Sequence, residues 1–229
     1  MSDPSSNASV SELAQQELLD RLDHFAFSPK LVVELGSALA TRAEGLRQKF
    51  PRARVIALSQ PGTDSAVADH GLWQSLRVLL QKIPGLRPRV EHVESSLEQL
   101  PFAAASVDIV VADRLLAGSD RLDAVLAEVN RILRPGALFL WNTLGPGSRL
   151  SSTEISADLI DMHDIGSALG RAGFVEPVLD IDRFGDLEVI QIAAFAGLHR
   201  LGENAADQPA ASEIFVPVDS IVRRGRTPS

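Results

Sequence analysis

The stretch Leu31-Val32-Val33-Glu34-Leu35-Gly36 decides the fold class of this chain. A short apolar run that stops at a glycine is typical of a strand buried on both faces, as in a parallel sheet. Apolar residues then return at helical spacing over residues 41–50, and Pro51 marks the end of that helix. This part of the sequence therefore predicts a strand followed by a helix.

The same alternation continues along most of the chain. Further strands are predicted at residues 54–58, 90–93, 107–112 and 137–143, and further helices at 11–22, 64–82, 122–133 and 164–172. Two extended segments, 175–181 and 187–195, follow with no helix between them. Alternation requires parallel strands joined by right-handed crossovers, whereas a terminal strand pair places at least one strand antiparallel. We therefore expect an α/β fold with a Rossmann-like, doubly wound sheet that is mostly parallel.

Composition limits the class of protein. The 229 residues, 45% of them hydrophobic, are enough for one globular domain, expected at residues 11–199 between a flexible leader (1–10) and a disordered tail (200–229). The absence of cysteine excludes disulfides and thiolate metal sites, and it suits a cytoplasmic protein. A net charge of -8 argues against broad nucleic-acid binding, and no apolar run approaches the roughly 18 residues of a membrane span. We expect neither nucleic acid nor a membrane as a partner.

Candidate site residues lie just after the predicted strands, because ligands of open α/β sheets bind beyond the carboxyl ends of the strands. The loop Glu34-Leu35-Gly36-Ser37-Ala38-Leu39-Ala40 follows the first strand, and residues 58–61, 95–97 and 112–116 follow the next three. Glycine lets the backbone approach a bound nucleotide closely, but only Gly36 is present in the first loop. Ala38 and Ala40 each add a β-carbon where a ligand would press. Taken alone, this loop is better explained as a plain strand-to-helix turn.

Longer stretches carry a resemblance to a known family. In chain order they are residues 31–36, residues 54–58, Leu100-Pro101-Phe102, Asp108-Ile109-Val110-Val111 and Glu128-Val129-Asn130-Arg131-Ile132-Leu133-Arg134-Pro135-Gly136. Two more are Asn142-Thr143-Leu144-Gly145-Pro146-Gly147 and Asp161-Met162-His163-Asp164-Ile165-Gly166, the second continuing through Arg171-Ala172-Gly173-Phe174. Together they resemble the class I S-adenosylmethionine-dependent methyltransferases. The last two stretches resemble the malonyl-acyl-carrier-protein O-methyltransferases of biotin synthesis in particular.

The resemblance implies a sheet of seven strands whose last strand is antiparallel. It also implies that the methionine end of the donor packs on a loop of the pattern acidic-Leu-Gly-x-Gly-x-Gly. Glu34 and Gly36 match that pattern, whereas Ala38 and Ala40 replace glycines. The donor site is expected to comprise eight positions: Glu34, Gly36, Ser37, Ala38, Ser59, Ser96, Leu97 and Asp113.

Two carboxylates of the family pattern are serine in this chain. Ser59 stands where a carboxylate is expected to bind the ribose, and Ser96 stands where an Asp is expected to contact the adenine. A carboxylate that accepts such a hydrogen bond contributes about 1.5–3 kcal/mol. Two such losses weaken donor binding by a factor on the order of hundreds.

Two functions therefore stay open. One is a divergent methyltransferase that methylates a small or carrier-linked acid. The other is a catalytically inactive member of the family, a pseudoenzyme that serves as a binding or regulatory subunit. The expected partner is an acyl-carrier protein or another protein. The expected cofactor, if any, is S-adenosylmethionine, without a metal.

Three further residues are candidates for the substrate side of the site. Arg114 follows the fourth strand, where it would contact an acidic substrate, occupy space that the donor would use, or remain a surface arginine. Asp161 and His163 have the chemistry of an acid and a base, but Asp161 or Asp164 is also well placed to cap the helix that follows, which we favour. The remaining histidines have no metal-ligand spacing, so no metal site is predicted.

Overall fold

Seven strands of the described residues form one mixed sheet. The computed structural model describes residues 16–36, 41–61, 90–113, 121–149 and 159–197. In chain order the strands are β1 (Leu31–Leu35), β2 (Arg54–Ser59), β3 (Glu91–Glu94), β4 (Val107–Asp113), β5 (Leu133–Leu144), β6 (Phe174–Phe184) and β7 (Leu187–Ala196). They lie in the order β3-β2-β1-β4-β5-β7-β6. The seven-stranded sheet that the resemblance implies is therefore confirmed.

Strand direction divides the sheet into a parallel part and an antiparallel end. The strands β3, β2, β1, β4 and β5 run parallel to one another, whereas β7 runs antiparallel to both β5 and β6. The strand order reverses at β1, because the chain moves from β1 to β2 on one side and returns to β4 on the other. Such a reversal opens a crevice at the carboxyl ends of β1 and β4, which is where open α/β sheets bind ligands. The predicted Rossmann-like, mostly parallel α/β fold is confirmed.

Helices cover both faces of the sheet. A helical stretch at residues 16–21, a 3₁₀ turn (Leu22–His24) and helix α1 (Thr41–Lys49) lie against one face. The helices α2 (Leu122–Ile132) and α3 (Met162–Arg171) bury their apolar sides against the other face. No helix within the described ranges is both long and apolar enough to cross a membrane. Burial from two sides explains why the central strands are continuous apolar runs.

Several predicted boundaries differ from those in the structure. The helix predicted at 164–172 begins at Met162, because the carboxylate of Asp161 accepts the backbone N–H of His163 and caps the first turn. The strand predicted at 137–143 begins already at Leu133, which pairs with Val107 ahead of a shift in register. The two terminal strands are longer than predicted, because they pair with each other over most of their length.

Some predicted segments lie outside the described residues. They are the leader at 1–10, the first part of the predicted helix at 11–22, the whole predicted helix at 64–82 and the tail at 200–229. The predictions for these segments stay predictions.

Candidate functional site

Glu34 and Asp113 lie at the carboxyl ends of the two central strands, β1 and β4. Successive residues of a strand point to opposite faces, so Glu34 shares the face of Val32 and Asp113 shares that of Val111. Val32 and Val111 belong to the same apolar cluster, and the two carboxylates therefore point to the same side of the sheet. Both side chains are buried. A buried carboxylate is costly unless a cation or several hydrogen-bond donors face it.

Arg42, the second residue of α1, supplies that cation. Its Nη1 donates a hydrogen bond to Glu34 Oε1 at 2.5 Å, and its Nη2 donates to Asp113 Oδ2. The Arg42 side chain is only 4% exposed. The planar guanidinium offers donors in a fixed fork, which lets one side chain reach two carboxylates on neighbouring strands. One arginine thus ties the first turn of α1 to the ends of β1 and β4.

Burial opposes ionisation of the Glu34 carboxyl. Burial raises the pKa of the Glu34 carboxyl from its ordinary value of 4.5 to about 7. Loss of hydration is the main cause and the Asp113 carboxylate adds to it, while the Arg42 guanidinium acts in the opposite direction. Glu34 Oε2 has no hydrogen-bond partner among the residues that the structure describes. Two carboxylates and one guanidinium therefore lie together in one buried cluster.

Gly36 begins the loop after β1 in a conformation that favours glycine. Its φ is 89°, and its N–H donates to the carbonyl of Leu58 at 2.9 Å. A residue with a β-carbon is strained at this φ, so the backbone itself requires the glycine of the predicted motif. Ser37, Ala38 and Ala40 lie outside the described residues, and their predicted effect on a ligand stays a prediction.

Ser59 and Ser96, the two serines that stand where carboxylates are expected, lie at the carboxyl ends of β2 and β3, on the same edge of the sheet. Ser59 ends β2 with its side chain half-buried, and its carbonyl accepts the N–H of Ser95 at 3.0 Å. Ser96 is exposed, and its Oγ accepts the N–H of Glu98 at 3.3 Å, a bond within its own turn. Leu97 is buried in the main core cluster. Of these residues, Ser59 is the one whose hydroxyl lies at the strand end where a ribose is expected.

Asp161 and His163 form a local pair at the start of α3. Asp161 Oδ1 accepts the backbone N–H of His163 at 2.8 Å and lies 2.9 Å from His163 Nδ1. These hydrogen bonds hold the pKa of the Asp161 carboxyl below its ordinary value. Both side chains are exposed, with His163 at 86%. The capping role is confirmed, whereas a role for either residue on the substrate side stays a prediction. Arg114 lies outside the described residues.

The loop after β5 is fastened to the start of β7 by Glu188. The Glu188 carbonyl accepts the N–H of Gly145 at 2.8 Å, and its carboxylate accepts the N–H of Gly147 at 3.0 Å. The Ser148 hydroxyl both donates to the Glu188 carbonyl and accepts its N–H, at 2.9 and 3.0 Å. A β-carbon at Gly145 would lie 2.5 Å from the Glu188 carboxylate, and one at Gly147 would also meet it. The loop is therefore held in place on the same edge of the sheet as the Glu34–Arg42–Asp113 cluster.

Reasoning from the sequence missed Arg42 and Glu188. A signal for Arg42 was present, since Arg42, Ala43 and Leu46 share one face of α1, and an arginine on an apolar helix face needs a buried partner. No comparable signal exists for Glu188. Its partners Gly145 and Gly147 are some 40 residues away in sequence, and only the pairing of β5 with β7 brings them together.

Sequence comparison gives consistent matches. A family model described as a methyltransferase domain matches residues 35–141. The malonyl-[acyl-carrier protein] O-methyltransferase of Methylovorus sp. (strain MP688) is 33% identical over 179 residues, which are 74% of this chain and 58% of that protein. The enzyme of the same name from Laribacter hongkongensis (strain HLHK9) is 38% identical over 184 residues, 74% of this chain and 60% of that protein. The chain thus spans less than two thirds of the length of these curated relatives.

Structure comparison agrees on the fold. Phosphoethanolamine N-methyltransferase 2 of Haemonchus contortus, solved with phosphomonomethylethanolamine and S-adenosylhomocysteine, matches with a TM-score of 0.61. The match covers 80% of this chain and 53% of that chain, at 15% sequence identity. At that identity the likeness concerns the architecture of the sheet and its helices alone.

Proposed function

The chain belongs to the class I S-adenosylmethionine-dependent methyltransferases, and from this premise we propose that it transfers a methyl group to the carboxylate of a carrier-linked acid. The substrate class comes from the relatives, which are named as malonyl-[acyl-carrier protein] O-methyltransferases. The observation that carries the proposal is the pair Glu34 and Asp113. Two buried carboxylates end the adjacent strands β1 and β4, at the point where the strand order reverses.

The described residues fit the donor at its methionine end on one condition. That end carries an ammonium group, a carboxylate and a sulfonium, and carboxylates such as Glu34 and Asp113 suit its two cationic groups. Arg42 already engages both carboxylates, so the fit requires Arg42 to release at least one of them. In this proposal the Ser59 hydroxyl bonds the ribose, with less strength than a carboxylate would. The Ser96 hydroxyl is exposed and bonded within its turn, and it contributes least.

The protein's task in such a reaction is mainly to position the two reactants. S-adenosylmethionine, when bound, supplies a methyl group that its sulfonium already activates, so a dedicated base is optional. In the proposed arrangement, the ends of β1 and β4 hold the donor. The loop fastened by Glu188 is part of the acceptor side, because it follows β5 at the same edge. Asp161, His163 and Arg114 are kept as proposed substrate contacts.

A second candidate function is supported by the same cluster. Arg42 engages both carboxylates on which a cationic donor depends, and Ser59 and Ser96 offer only hydroxyls to the ribose and the adenine. A protein with these features is a candidate for a non-catalytic binding or regulatory subunit of the family. The partner would then be an active relative or a carrier protein.

Calorimetry followed by a transfer assay tests the proposal on the whole chain. We expect S-adenosylmethionine and S-adenosylhomocysteine to bind weakly, and the radiolabelled methyl group to appear on malonyl-acyl-carrier protein as a base-labile ester. Asp113→Asn is expected to lose donor affinity, whereas Asp123→Asn, an exposed position on α2, is the matched control. Absence of donor binding at millimolar concentration, or of ester formation with donor bound, favours the non-catalytic function.

A further inference from the structure

The Arg42 guanidinium occupies the space between two carboxylates that belong to different strands. Its Nη1 bonds Glu34 Oε1 and its Nη2 bonds Asp113 Oδ2. The three side chains are 4%, 0% and 4% exposed in the order Arg42, Glu34 and Asp113. A guanidinium is always charged, so Arg42 is a permanent cation at the crevice between β1 and β4.

A primary ammonium and a guanidinium compete for the same acceptors. Both donate charge-assisted hydrogen bonds to carboxylates, and a carboxylate oxygen that already receives a short bond has little to offer a second cation. The two oxygens that Arg42 engages are Glu34 Oε1 and Asp113 Oδ2. A ligand ammonium that seeks either oxygen must therefore displace one arm of the guanidinium.

We propose that Arg42 is an internal competitor of the methyl donor, whose guanidinium takes the cation position between Glu34 and Asp113 that the donor's ammonium would otherwise use. The inference rests on the proposed function, because it assumes that the donor site is at the ends of β1 and β4. In this proposal Arg42 lowers the affinity for the donor and so raises the donor concentration at which the site fills.

Removal of the Arg42 charge should change donor affinity in a definite direction. Without Arg42, a carboxylate oxygen becomes available for one charge-assisted hydrogen bond to the donor's ammonium. That bond corresponds to an increase in donor affinity of about tenfold or more. If Arg42 instead bound the carboxylate of the donor's methionine end, its removal would lower affinity by a similar factor. The two roles of Arg42 therefore give opposite results in one measurement.

The experiment compares three ligands on matched variants. Arg42→Gln removes the charge but keeps a hydrogen-bond donor of similar reach. Arg47→Gln is the control on the same helix, where Arg47 pairs with Glu44 near the surface. S-adenosylmethionine, S-adenosylhomocysteine and 5′-methylthioadenosine are titrated by calorimetry, since the last lacks the amino-acid end of the first two.

We expect Arg42→Gln to bind the two ligands with an ammonium at least about tenfold more tightly than the unmodified chain does. The affinity for 5′-methylthioadenosine should stay within about twofold, and Arg47→Gln should match the unmodified chain for all three ligands. Unchanged or lower affinity for S-adenosylmethionine overturns the inference. So does an equal gain for 5′-methylthioadenosine, which would mean that the variant merely opens space.

Folding of the variant is followed by thermal denaturation with and without ligand. If Arg42→Gln does not fold, Arg42→Lys is measured instead, because lysine keeps the charge but lacks the fork that joins both carboxylates. A gain of about threefold or more is then expected for the ammonium-bearing ligands alone, and its absence overturns the inference. Methyl transfer is assayed separately. Tighter donor binding by the variant, without methyl transfer, supports the role of Arg42 as a competitor and contradicts the proposed function. Methyl transfer without tighter donor binding supports the proposed function and contradicts that role of Arg42.

Discussion

Arg42 Nη1 lies 2.5 Å from Glu34 Oε1, which joins the first turn of α1 to the last part of β1. Neither side chain is more than 4% exposed, so the interaction is formed away from water. Away from water, removal of one partner lowers the free energy of unfolding by more than the intact pair contributes to it. The reason is that the other charge then remains buried without a partner. The same guanidinium reaches Asp113 at the end of β4, and the stability of this edge therefore depends on three charges together.

Glu34 makes the stability of the fold depend on pH. The pKa of its carboxyl is about 7 in the folded chain and near 4.5 when hydrated, so the folded state holds a proton that the unfolded state has lost. Stability should therefore fall as pH rises from about 4.5 to about 7, by roughly 2 kcal/mol or more in all, and level off above that. Glu34→Gln should flatten this part of the profile.

Urea unfolding at pH 5 and pH 7.5 measures the effect. Glu44→Gln, on the exposed side of α1, is the control, and it should keep the pH dependence of the unmodified chain. A Glu34→Gln profile as steep as that of the control would mean that other groups cause the pH dependence.

Arg42→Met should destabilise the fold strongly above pH 7. It leaves the carboxylates of Glu34 and Asp113 buried without their cation, for which a loss of about 3–5 kcal/mol is expected. At pH 5 the loss should be smaller, because Glu34 is then protonated. Chemical denaturation of Arg42→Met and of Arg47→Met at both pH values checks this, and equal losses for the two variants would contradict it.

Gly147→Ala should loosen the loop after β5. The new β-carbon would meet the Glu188 carboxylate, and a cost of about 1–3 kcal/mol is expected from such overpacking. Gly166→Ala is the matched control, because its β-carbon would meet nothing within 4 Å and should stabilise α3 slightly. Combining Gly147→Ala with Glu188→Ala should recover part of the cost. Additive losses in that double-mutant cycle would show that Glu188 is not the clashing group.

Asp161→Ala should remove the cap of α3 and cost about 1 kcal/mol of stability. Asp161→Ser should restore most of that stability, since a hydroxyl also accepts an N–H at this position. Thermal unfolding of the two variants is compared with methyl transfer under saturating donor. Loss of transfer in Asp161→Ser at full stability would assign Asp161 a role on the substrate itself, beyond capping.

The order of elements was accessible from the sequence, because each strand and helix leaves a local pattern. The apolar run of β1 and the clean amphipathic pattern of α2 appear in the structure within one residue of their predicted bounds, and the helix-free pair β6 and β7 appears with longer strands than predicted. The antiparallel pairing of β6 with β7 follows from connectivity alone, because a strand that returns directly beside its predecessor must reverse direction.

The candidate site was accessible only in part. Glu34, Gly36, Ser59 and Asp113 were predicted together because they end or follow strands whose carboxyl ends meet at one edge, and the structure has them at that edge. The turn that uses the hydroxyl of Ser96 and the exposure of His163 were not readable from residue types. Both depend on the direction of a side chain, which neighbouring elements decide.

By itself, the sequence determined the class of the fold and the family, and it predicted the positions where a donor would lie. Only the tertiary structure decided what those positions contact. Arg42 and Asp113 are 71 residues apart, and their contact exists because β4 lies beside β1 and α1 returns over the same edge. Periodicity records which face of an element is buried, but a buried ion pair is a property of two elements at once. That is why the charge on Arg42, plainly visible in the sequence, had no partner until the strands were placed side by side.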